Sequence, residues 1–303
     1  MLTHFGVDSL QAEWPEAVVC VGTFDGVHLG HQALLTAAAE RAELEEIPSV
    51  VVTFDRHPAA TLAPDRCPQP IAPLQENLAM IAAQGISATV ILHFDNELAQ
   101  TSAESFLKSI LVDKIHASEA FVGHDFAFGH GREGTPQWLN ERLPTTVSPP
   151  FEIRGTRVSS RAIRGLIAEG AMESATELLG RPFRIDGVVI HGQKLGRTIG
   201  FPTLNLARST TTILPPDGVY SGSCETVLGR FRAAVSIGER PTIEGAGRSI
   251  EAYLLDYPGD ELYSHSVSLD LNSRIRPELK FANVEELAEQ IAADIASIRE
   301  SAP

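Results

Sequence analysis

Two histidines three residues apart, His28 and His31, lie in the decapeptide GTFDGVHLGH, where an apolar run meets a helical pattern. The preceding run, AVVCV, predicts a buried strand, and the apolar residues that follow recur at helical spacing. In such a turn the first helix amides are unpaired and the helix dipole is positive, so anionic groups are attracted. Gly26 and Gly30 let the backbone approach a ligand closely. The decapeptide therefore predicts a phosphate site, and the alternative is a glycine-rich loop with two incidental histidines.

Polar residues also follow two other apolar runs, VVVTF and AFVG. Because the carboxyl ends of parallel strands meet at one edge of a sheet, we expect these loops to converge with the decapeptide. For His57 and His130, an ordinary surface histidine is as good an interpretation as a ligand contact. The residues of the two loops are Asp55, Arg56, His57, Pro58, Arg66, His124, Asp125 and His130.

A glycine-rich segment in the second half of the chain predicts a loop that can close over a polyphosphate. Its glycines and cations are Gly192, Lys194, Gly196, Arg197 and Gly200. No GxxxxGK[ST] pattern occurs in the sequence, which excludes a P-loop kinase. Just beyond the loop, Thr203 and Asn205 share one face if the chain is extended there, and both offer the oxygen atoms that Mg²⁺ accepts.

Glu251 lies in SIEAYLLDY, whose alternation places it on the same face as Tyr253 and Leu255. A glutamate among the apolar residues of a strand is unusual and calls for an explanation, because carboxylates are rarely buried. A functional role is one interpretation, and a solvent-facing glutamate on an edge strand is the other.

Composition narrows the classes of function. A chain of 303 residues is long enough for two domains. A net charge of −15 argues against a nucleic-acid or anionic-membrane binder. The three cysteines are far apart and form no CxxC, so neither a zinc site nor a disulfide framework is expected. The first residues, MLTHFGVDSL, carry no basic region followed by an apolar stretch, and no run is long enough to span a bilayer, so we expect a soluble, cytoplasmic protein.

Apolar runs alternate with helical patterns up to about residue 153, which predicts an α/β domain with a parallel sheet. The predicted strands are AVVCV, VVVTF, ATVILHF, AFVG and FEI. Thr101 and Glu104 form a capping-box pattern that predicts a helix start. Beyond LLGRPF, short alternating strands predict a small antiparallel barrel, covered by a helix over about residues 284–298. We place the boundary near Gly180, with domains at 1–180 and 181–303.

The decapeptide resembles the HxGH signature of nucleotidyltransferases, in the form typical of the bacterial bifunctional riboflavin kinase and FAD synthetase family. Two further blocks are similar to that family: VGHDFAFGHGREG at 122–134, and HGQKLGRTIGFPTLNL at 191–206, which resembles the flavokinase signature around PTAN. The stretch VSSRAIR at 158–164 resembles its ISSTxxR helix start, although a serine before a helix is more often just an N-cap. The resemblance covers about residues 18–294.

This resemblance implies a Rossmann-like nucleotidyltransferase domain and a riboflavin kinase-like barrel with a terminal helix. It implies that riboflavin is phosphorylated to FMN and FMN is adenylated to FAD, with ATP, riboflavin and FMN as substrates and Mg²⁺ as cofactor. Glu251 takes the place of the catalytic base of the kinase, and His28 and His31 hold the ATP phosphates during adenylation. Thr203 and Asn205 correspond to the metal ligands.

Further binding residues follow from the same resemblance. The residues expected to bind ATP are Gly22, Phe24, Gly26, His28, His31, Asp125, Ser159, Ser160, Arg164, Gly192, Lys194, Gly196, Gly200, Thr203 and Asn205. Those expected to bind flavin are His57, Pro58, Arg66, Asp217 and Glu251. The expected partners are small molecules, without nucleic acid or membrane, and a homo-oligomer is left open.

The sequence departs from the family pattern at four positions. Arg56 replaces a proline, Arg161 a threonine, Leu204 an alanine and Arg240 an asparagine. Arg161 either reinforces phosphate binding or fills the space of ATP. Two alternatives to the bifunctional enzyme are therefore kept: a riboflavin kinase with an impaired adenylyltransferase domain, and a non-catalytic flavin- or nucleotide-binding regulator.

Overall fold

The computed structural model describes residues 1–8, 10, 14–192, 195–208, 210–239, 248–259 and 261–300. The contacts between its Cα atoms divide the chain into two units, Met1–Ser160 and Arg161–Pro303. Within the described residues, none of the helices combines the length and apolar character that a bilayer crossing requires.

A six-stranded sheet organises the first unit, and all of its neighbouring strands pair in parallel. Its spatial order is β1-β4-β3-β2-β5-β6. The strands are β1 (Leu2–Phe5), β2 (Ala17–Val21), β3 (Ser49–Phe54), β4 (Ala88–Leu92), β5 (Ala117–Gly123) and β6 (Thr145–Ser148). The central strand β2 is buried along its whole length, as its apolar run predicts.

Helices cover both faces of this sheet. The side chains of β2 alternate between two apolar clusters, Val19 and Val21 in one and Val18 and Cys20 in the other. A core on each face confirms the predicted α/β arrangement. The helices of the unit are α1 (Leu29–Leu44), α2 (Ala59–Leu62), α3 (Leu74–Ala82), α4 (Asn96–Gln100), α5 (Ala103–Phe106) and α6 (Pro136–Asn140).

Two local expectations for this unit are wrong. The FEI segment does not join the parallel sheet: β7 (Glu152–Ile153) pairs antiparallel with β8 (Thr156–Arg157) across a turn whose residues, Arg154 and Gly155, have positive φ. The helix predicted from a Thr101 cap begins one residue later, because the hydroxyl of Ser102 accepts the amide of Ser105. Thr101 instead ends α4.

The second unit contains a closed six-stranded antiparallel barrel, which confirms the prediction for this half. Its order is β10-β13-β12-β11-β14-β9. The strands are β9 (Phe183–Ile190), β10 (Thr203–Ala207), β11 (Gly218–Thr226), β12 (Gly229–Glu239), β13 (Arg248–Leu254) and β14 (Ser266–Pro277). Its helices are α7 (Ser160–Glu169), α8 (Met172–Leu179), α9 (Leu195–Thr198) and α10 (Val284–Glu300).

Two helices pack on this barrel. On α10, Ile295 and Ile298 are buried with Leu255, as the apolar stripe of that helix predicts. Helix α8 packs on β9 and β14 and ends at Gly180 in a left-handed conformation. Residues 161–180 therefore belong to the same unit as the barrel, whereas the sequence pattern changes to short alternating strands only after Gly180. The functional boundary at Gly180 stays a prediction.

The three cysteines are free thiols. Cys20 and Cys224 are buried, and Cys67 is partly exposed. Burial raises the pKa of the Cys20 thiol far above its usual range and that of Cys224 to about 12.

Candidate active sites

The decapeptide forms a strained loop between β2 and α1. Phe24 and Val27 have φ values of 46° and 36°, and Gly26 has a φ of 76°. Positive φ is uncommon for a residue with a side chain and rarer still for a β-branched one. Each such residue costs about 1–3 kcal/mol, so neighbouring structure must hold the loop in place.

Side chains and amides from other segments hold this loop. The buried Asp25 carboxylate accepts the amide of Ile71 at 2.9 and 3.1 Å and that of Ala72 at 3.4 Å. The amide of Gly26 donates to Asn77 Oδ1 at 2.9 Å. A side chain at Gly26 would also meet Ile71, because an added Cβ would lie 2.9 Å from its Cγ2.

His28 and His31 lie together at the start of α1. His28 caps the helix: its Nδ1 accepts the His31 amide at 3.2 Å. The two rings stack with centroids 3.6 Å apart. Because Nδ1 of His28 is an acceptor, its neutral ring carries the proton on Nε2, which can donate to a ligand.

The His31 imidazole is kept neutral by its surroundings. Burial, and then the neighbouring His28, lower the pKa of His31 well below its ordinary value. Its Nδ1 is buried and has no hydrogen-bond partner in the structure. A phosphate would supply both the missing partner and a negative charge that favours the protonated ring.

A cavity of about 770 Å³ opens beside this loop, a size that suits a nucleotide or flavin. It is lined by many of the residues that the sequence predicts, which confirms that the loops after β2, β3 and β5 converge there. The predicted residues in its wall are Gly22, Phe24, Gly30, His28, His31, His57, Pro58, His124, Asp125, His130, Ser159 and Ser160. Gly26 is not in the wall, because it lies behind the loop against Ile71 and Asn77.

Several aromatic rings and two arginines, Arg132 and Arg157, line this cavity but were not predicted from the sequence. The rings include Phe54, Phe94, Phe106, Phe126 and Phe128, which come from four separate parts of the sequence. Arg157 donates to Asp125 Oδ2 and to His124 Nε2, both at 2.7 Å, and Arg132 donates to the carbonyl oxygen of Asp125 at 3.4 Å. A basic residue two positions before Ser159 is the one signal that could have marked Arg157.

The serines at the start of α7 contribute to this site. The hydroxyl of Ser160, the last residue of the first unit, donates to the carbonyl oxygen of Asp25 in the strained loop at 2.9 Å. Ser159 lines the cavity beside it. Arg161 and Arg164 follow in the second unit, so their predicted roles toward ATP stay predictions.

Two predicted residues after β3 are not in the cavity wall. Arg66 is exposed on the short turn Pro64–Arg66. Arg56 lies next to a smaller depression and pairs with Asp55, with Nη2 3.2 Å from Oδ2. The arginine that replaces a proline therefore does not occupy the cavity.

The barrel brings together the three residues predicted for phosphoryl transfer. In the antiparallel register Asn205 lies opposite Glu251, and Thr203 lies opposite Tyr253. Thr203 Oγ1 donates to Glu251 Oε2 at 3.0 Å, and Asn205 is buried. Because β13 pairs with β10 on one side and with β12 on the other, Glu251 does not lie on an edge strand.

Two glycines of the preceding loop lie too close to Asn205 and to Phe201 for a side chain to fit. A Cβ at Gly192 would overlap the Asn205 carboxamide, and one at Gly196 would overlap the carbonyl oxygen of Phe201. Gly200 follows with a φ of 85°. The predicted contacts of Lys194 and Arg240 lie outside the described residues.

Asp217 is engaged elsewhere in the second unit. Arg248 Nε donates to its Oδ1 at 2.7 Å, and Arg274 donates to its backbone carbonyl at 2.7 Å. These bonds brace the turn before β11, so a flavin would compete with Arg248 for this carboxylate. The flavin role of Asp217 stays a prediction.

The donor atoms near Glu251 suit magnesium better than a transition metal. Across the described parts of the chain, no three His, Cys, Asp or Glu side chains are grouped to hold a metal ion. Thr203 and Asn205 instead offer neutral oxygens, which Mg²⁺ accepts when phosphates supply the remaining ligands. The residues present therefore fit the metal.

Two family models match the chain. That of FAD synthetase covers residues 10–162, and that of riboflavin kinase covers residues 179–302. The curated relatives include proteins named bifunctional riboflavin kinase/FMN adenylyltransferase. The one from Pseudomonas fluorescens is 37% identical over 300 residues, which is 97% of this chain and 96% of the relative. The one from Bacillus subtilis is 34% identical over 293 residues, which is 94% of this chain and 92% of the relative.

Among solved structures, a crystal structure described as a macrolide-efflux protein from Streptococcus pneumoniae has the same fold. Its TM-score is 0.92 at 30% identity, and the match covers 100% of both chains. The two family matches and the curated relatives, which agree along almost the whole sequence, show that this chain belongs to the bifunctional riboflavin kinase/FMN adenylyltransferase family.

Proposed function

We propose that this chain catalyses two ATP-dependent reactions: phosphorylation of riboflavin to FMN in the barrel, and adenylation of FMN to FAD in the α/β unit. The observation that carries this proposal is the presence of two separate phosphate-transfer arrangements. One is the stacked His28–His31 pair on the strained loop. The other is the set of Thr203, Asn205 and Glu251 on adjacent strands.

For adenylation, a phosphate oxygen of FMN attacks the α-phosphorus of ATP, and the bond from that phosphorus to the bridging oxygen of pyrophosphate breaks. The reaction needs no covalent enzyme intermediate, so catalysis consists of positioning and charge neutralisation. His28 Nε2 donates a hydrogen bond to the phosphates. When the phosphates bind, His31 Nδ1 gains the hydrogen-bond partner that it lacks in the structure. The phenylalanines of the cavity wall offer apolar faces for a flat flavin ring.

For phosphorylation, Glu251 accepts the proton of the ribityl 5′-hydroxyl while the oxygen forms its bond to the γ-phosphorus and ADP leaves. The hydrogen bond from Thr203 fixes one oxygen of this carboxylate and so leaves the other for the substrate. Thr203 and Asn205 would hold Mg²⁺, which supplies neutralisation of phosphate charge when bound. We also propose a cytoplasmic location, where ATP is available.

The test is incubation of the purified chain with riboflavin, ATP and MgCl₂, followed by chromatographic separation of riboflavin, FMN and FAD. We expect FMN to accumulate first and FAD to follow. Incubation with FMN, ATP and MgCl₂, without riboflavin, isolates the second reaction. FMN without FAD would favour the kinase-only alternative, and bound but unconverted riboflavin would favour the regulator.

A further inference from the structure

The side chain of Asn77, on α3, contacts the strained loop although it lies 51 residues away in the sequence. It is 8% exposed, so water does not compete effectively for its hydrogen bonds. A buried carboxamide on an otherwise apolar helix face requires partners for both its oxygen and its nitrogen.

Asn77 has a partner for each end of its side chain. Its Oδ1 accepts the Gly26 amide at 2.9 Å, and its Nδ2 donates to the carbonyl oxygen of Ala72 at 3.4 Å. Because an amide only donates and a carbonyl only accepts, these partners fix the orientation of the side chain. Asn77 thus connects the loop to the segment that also contacts Asp25.

The hydrogen bond from Gly26 to Asn77 lies only two residues from His28. Gly26 is two residues before His28 and has a positive φ, as does Val27 between them. His28 in turn caps α1 and stacks on His31. A shift of Gly26 would therefore move His28 out of its place against His31.

We propose that Asn77 is a positioning residue for adenylyl transfer, which holds the Gly26 amide and thereby keeps His28 and His31 placed for the ATP phosphates. This inference rests on the proposed adenylyltransferase function. Asn77 is not in the cavity wall and does not need to touch substrate. Its effect falls on turnover, because displacement of aligned groups by about 1 Å can cost a factor of about 100 in rate.

The experiment compares three variants. Asn77→Leu keeps the approximate volume but removes both hydrogen bonds, whereas Asn77→Asp keeps an acceptor for Gly26. Gln84→Leu is the matched control, because Gln84 also carries a carboxamide and lies just beyond the end of the same helix. Its Oε1 accepts a hydrogen bond from Thr36 Oγ1 of α1 at 3.2 Å, and not from the strained loop. For each, kcat and KM for ATP are measured in FMN adenylation, alongside riboflavin phosphorylation and a thermal melt.

We expect Asn77→Leu to lower the kcat of adenylation by about 10- to 100-fold, with a smaller change in KM. Asn77→Asp should keep kcat within about tenfold of wild type, and Gln84→Leu should leave it unchanged. Riboflavin phosphorylation should be unchanged in all three. Wild-type turnover in Asn77→Leu, or an equal loss in the aspartate or control variant, would overturn the proposal. If Asn77→Leu does not fold, the aspartate variant decides.

A readout without catalysis separates this inference from the proposed function. Stacked imidazoles shift each other's ring protons upfield in the NMR spectrum, so the spectrum of selectively labelled histidines reports the His28–His31 arrangement directly. We expect this shift to be lost in Asn77→Leu and kept in Gln84→Leu. If wild type made no FAD, the proposed function would fail, but the histidine spectra would still show whether Asn77 positions the loop. An unchanged spectrum in folded Asn77→Leu would contradict it.

Discussion

His31, in the proposed nucleotide site, should make the stability of the protein depend on pH. Burial and His28 lower its pKa in the folded protein below the ordinary value of 6.5. As pH falls through about 6.5, the unfolded chain takes up a proton at this residue and the folded one does not, so the free energy of unfolding decreases. We expect His31→Gln to flatten this decrease in thermal melts between about pH 5 and 8. An unchanged slope in the variant would show that His31 is not neutral in the folded protein.

Glu251 is the proposed base of the kinase reaction. Glu251→Gln keeps the shape and the hydrogen bond from Thr203 but removes the base, so FMN formation should fall by about two to four orders of magnitude with riboflavin binding retained. The matched control is Glu225→Gln, which makes the same change at an exposed glutamate of the same barrel. Turnover is followed by the chromatographic assay. Near-normal FMN formation in Glu251→Gln would remove this carboxylate from the mechanism.

At the scale of the element, α10 stabilises the barrel through a narrow apolar stripe. Ile298 is 1% exposed and packs in one cluster with Ile295 and Leu255. Ile298→Ala removes buried methyl groups and leaves a cavity, so the free energy of unfolding should fall by about 2–5 kcal/mol. Val284, at the other end of the helix, is 46% exposed, and Val284→Ala should change it by less than about 0.5 kcal/mol. Urea titration of both variants measures the difference, and equal effects would show that α10 does not cover the core.

The elements also show what sequence alone could predict. Continuous apolar runs predicted the central strands of the sheet, alternation predicted the barrel strands other than β10, and helical spacing predicted α10. The weak strands β1 and β6 lie at the two edges of the sheet, where residues such as the partly exposed Thr145 and the exposed Thr146 give no clear apolar pattern. The proline pair after β6 and the turn at Arg154 and Gly155 explain why FEI forms a separate hairpin.

The residues of the candidate sites also fall into those that the sequence could predict and those that it could not. Short spacings located His28, His31, Thr203 and Asn205, because a turn or a strand fixes neighbours locally. Contacts between residues distant in sequence, such as the Asn77–Gly26 bond and the Arg157–Asp125 pair, depend on the tertiary fold. No local pattern predicts these pairings, although the position of Arg157 just before Ser159 is a weak local signal for that residue.

At the scale of the whole molecule, the two units should be separable. Helix α8 buries Met172, Ala175, Leu178 and Leu179, so a fragment that begins at Leu178 loses apolar contacts that one beginning at Arg161 keeps. We expect residues 161–303 to fold and to form FMN from riboflavin, and residues 178–303 to do so with a lower melting temperature. Circular dichroism and the FMN assay test both fragments. A folded but inactive longer fragment would contradict the assignment of the kinase to this unit.

The unequal exposure of the three thiols makes the protein suitable for single-site labelling. With Cys20 and Cys224 buried and hard to ionise, a maleimide dye should modify Cys67 alone in the native protein and all three cysteines after denaturation, as mass spectrometry would show. Cys67 lies four residues before Ile71, whose amide binds Asp25 of the strained loop. We expect a fluorophore there to sense changes in the strained loop, so that nucleotide binding in the proposed adenylylation site could be followed in real time without any engineered substitution.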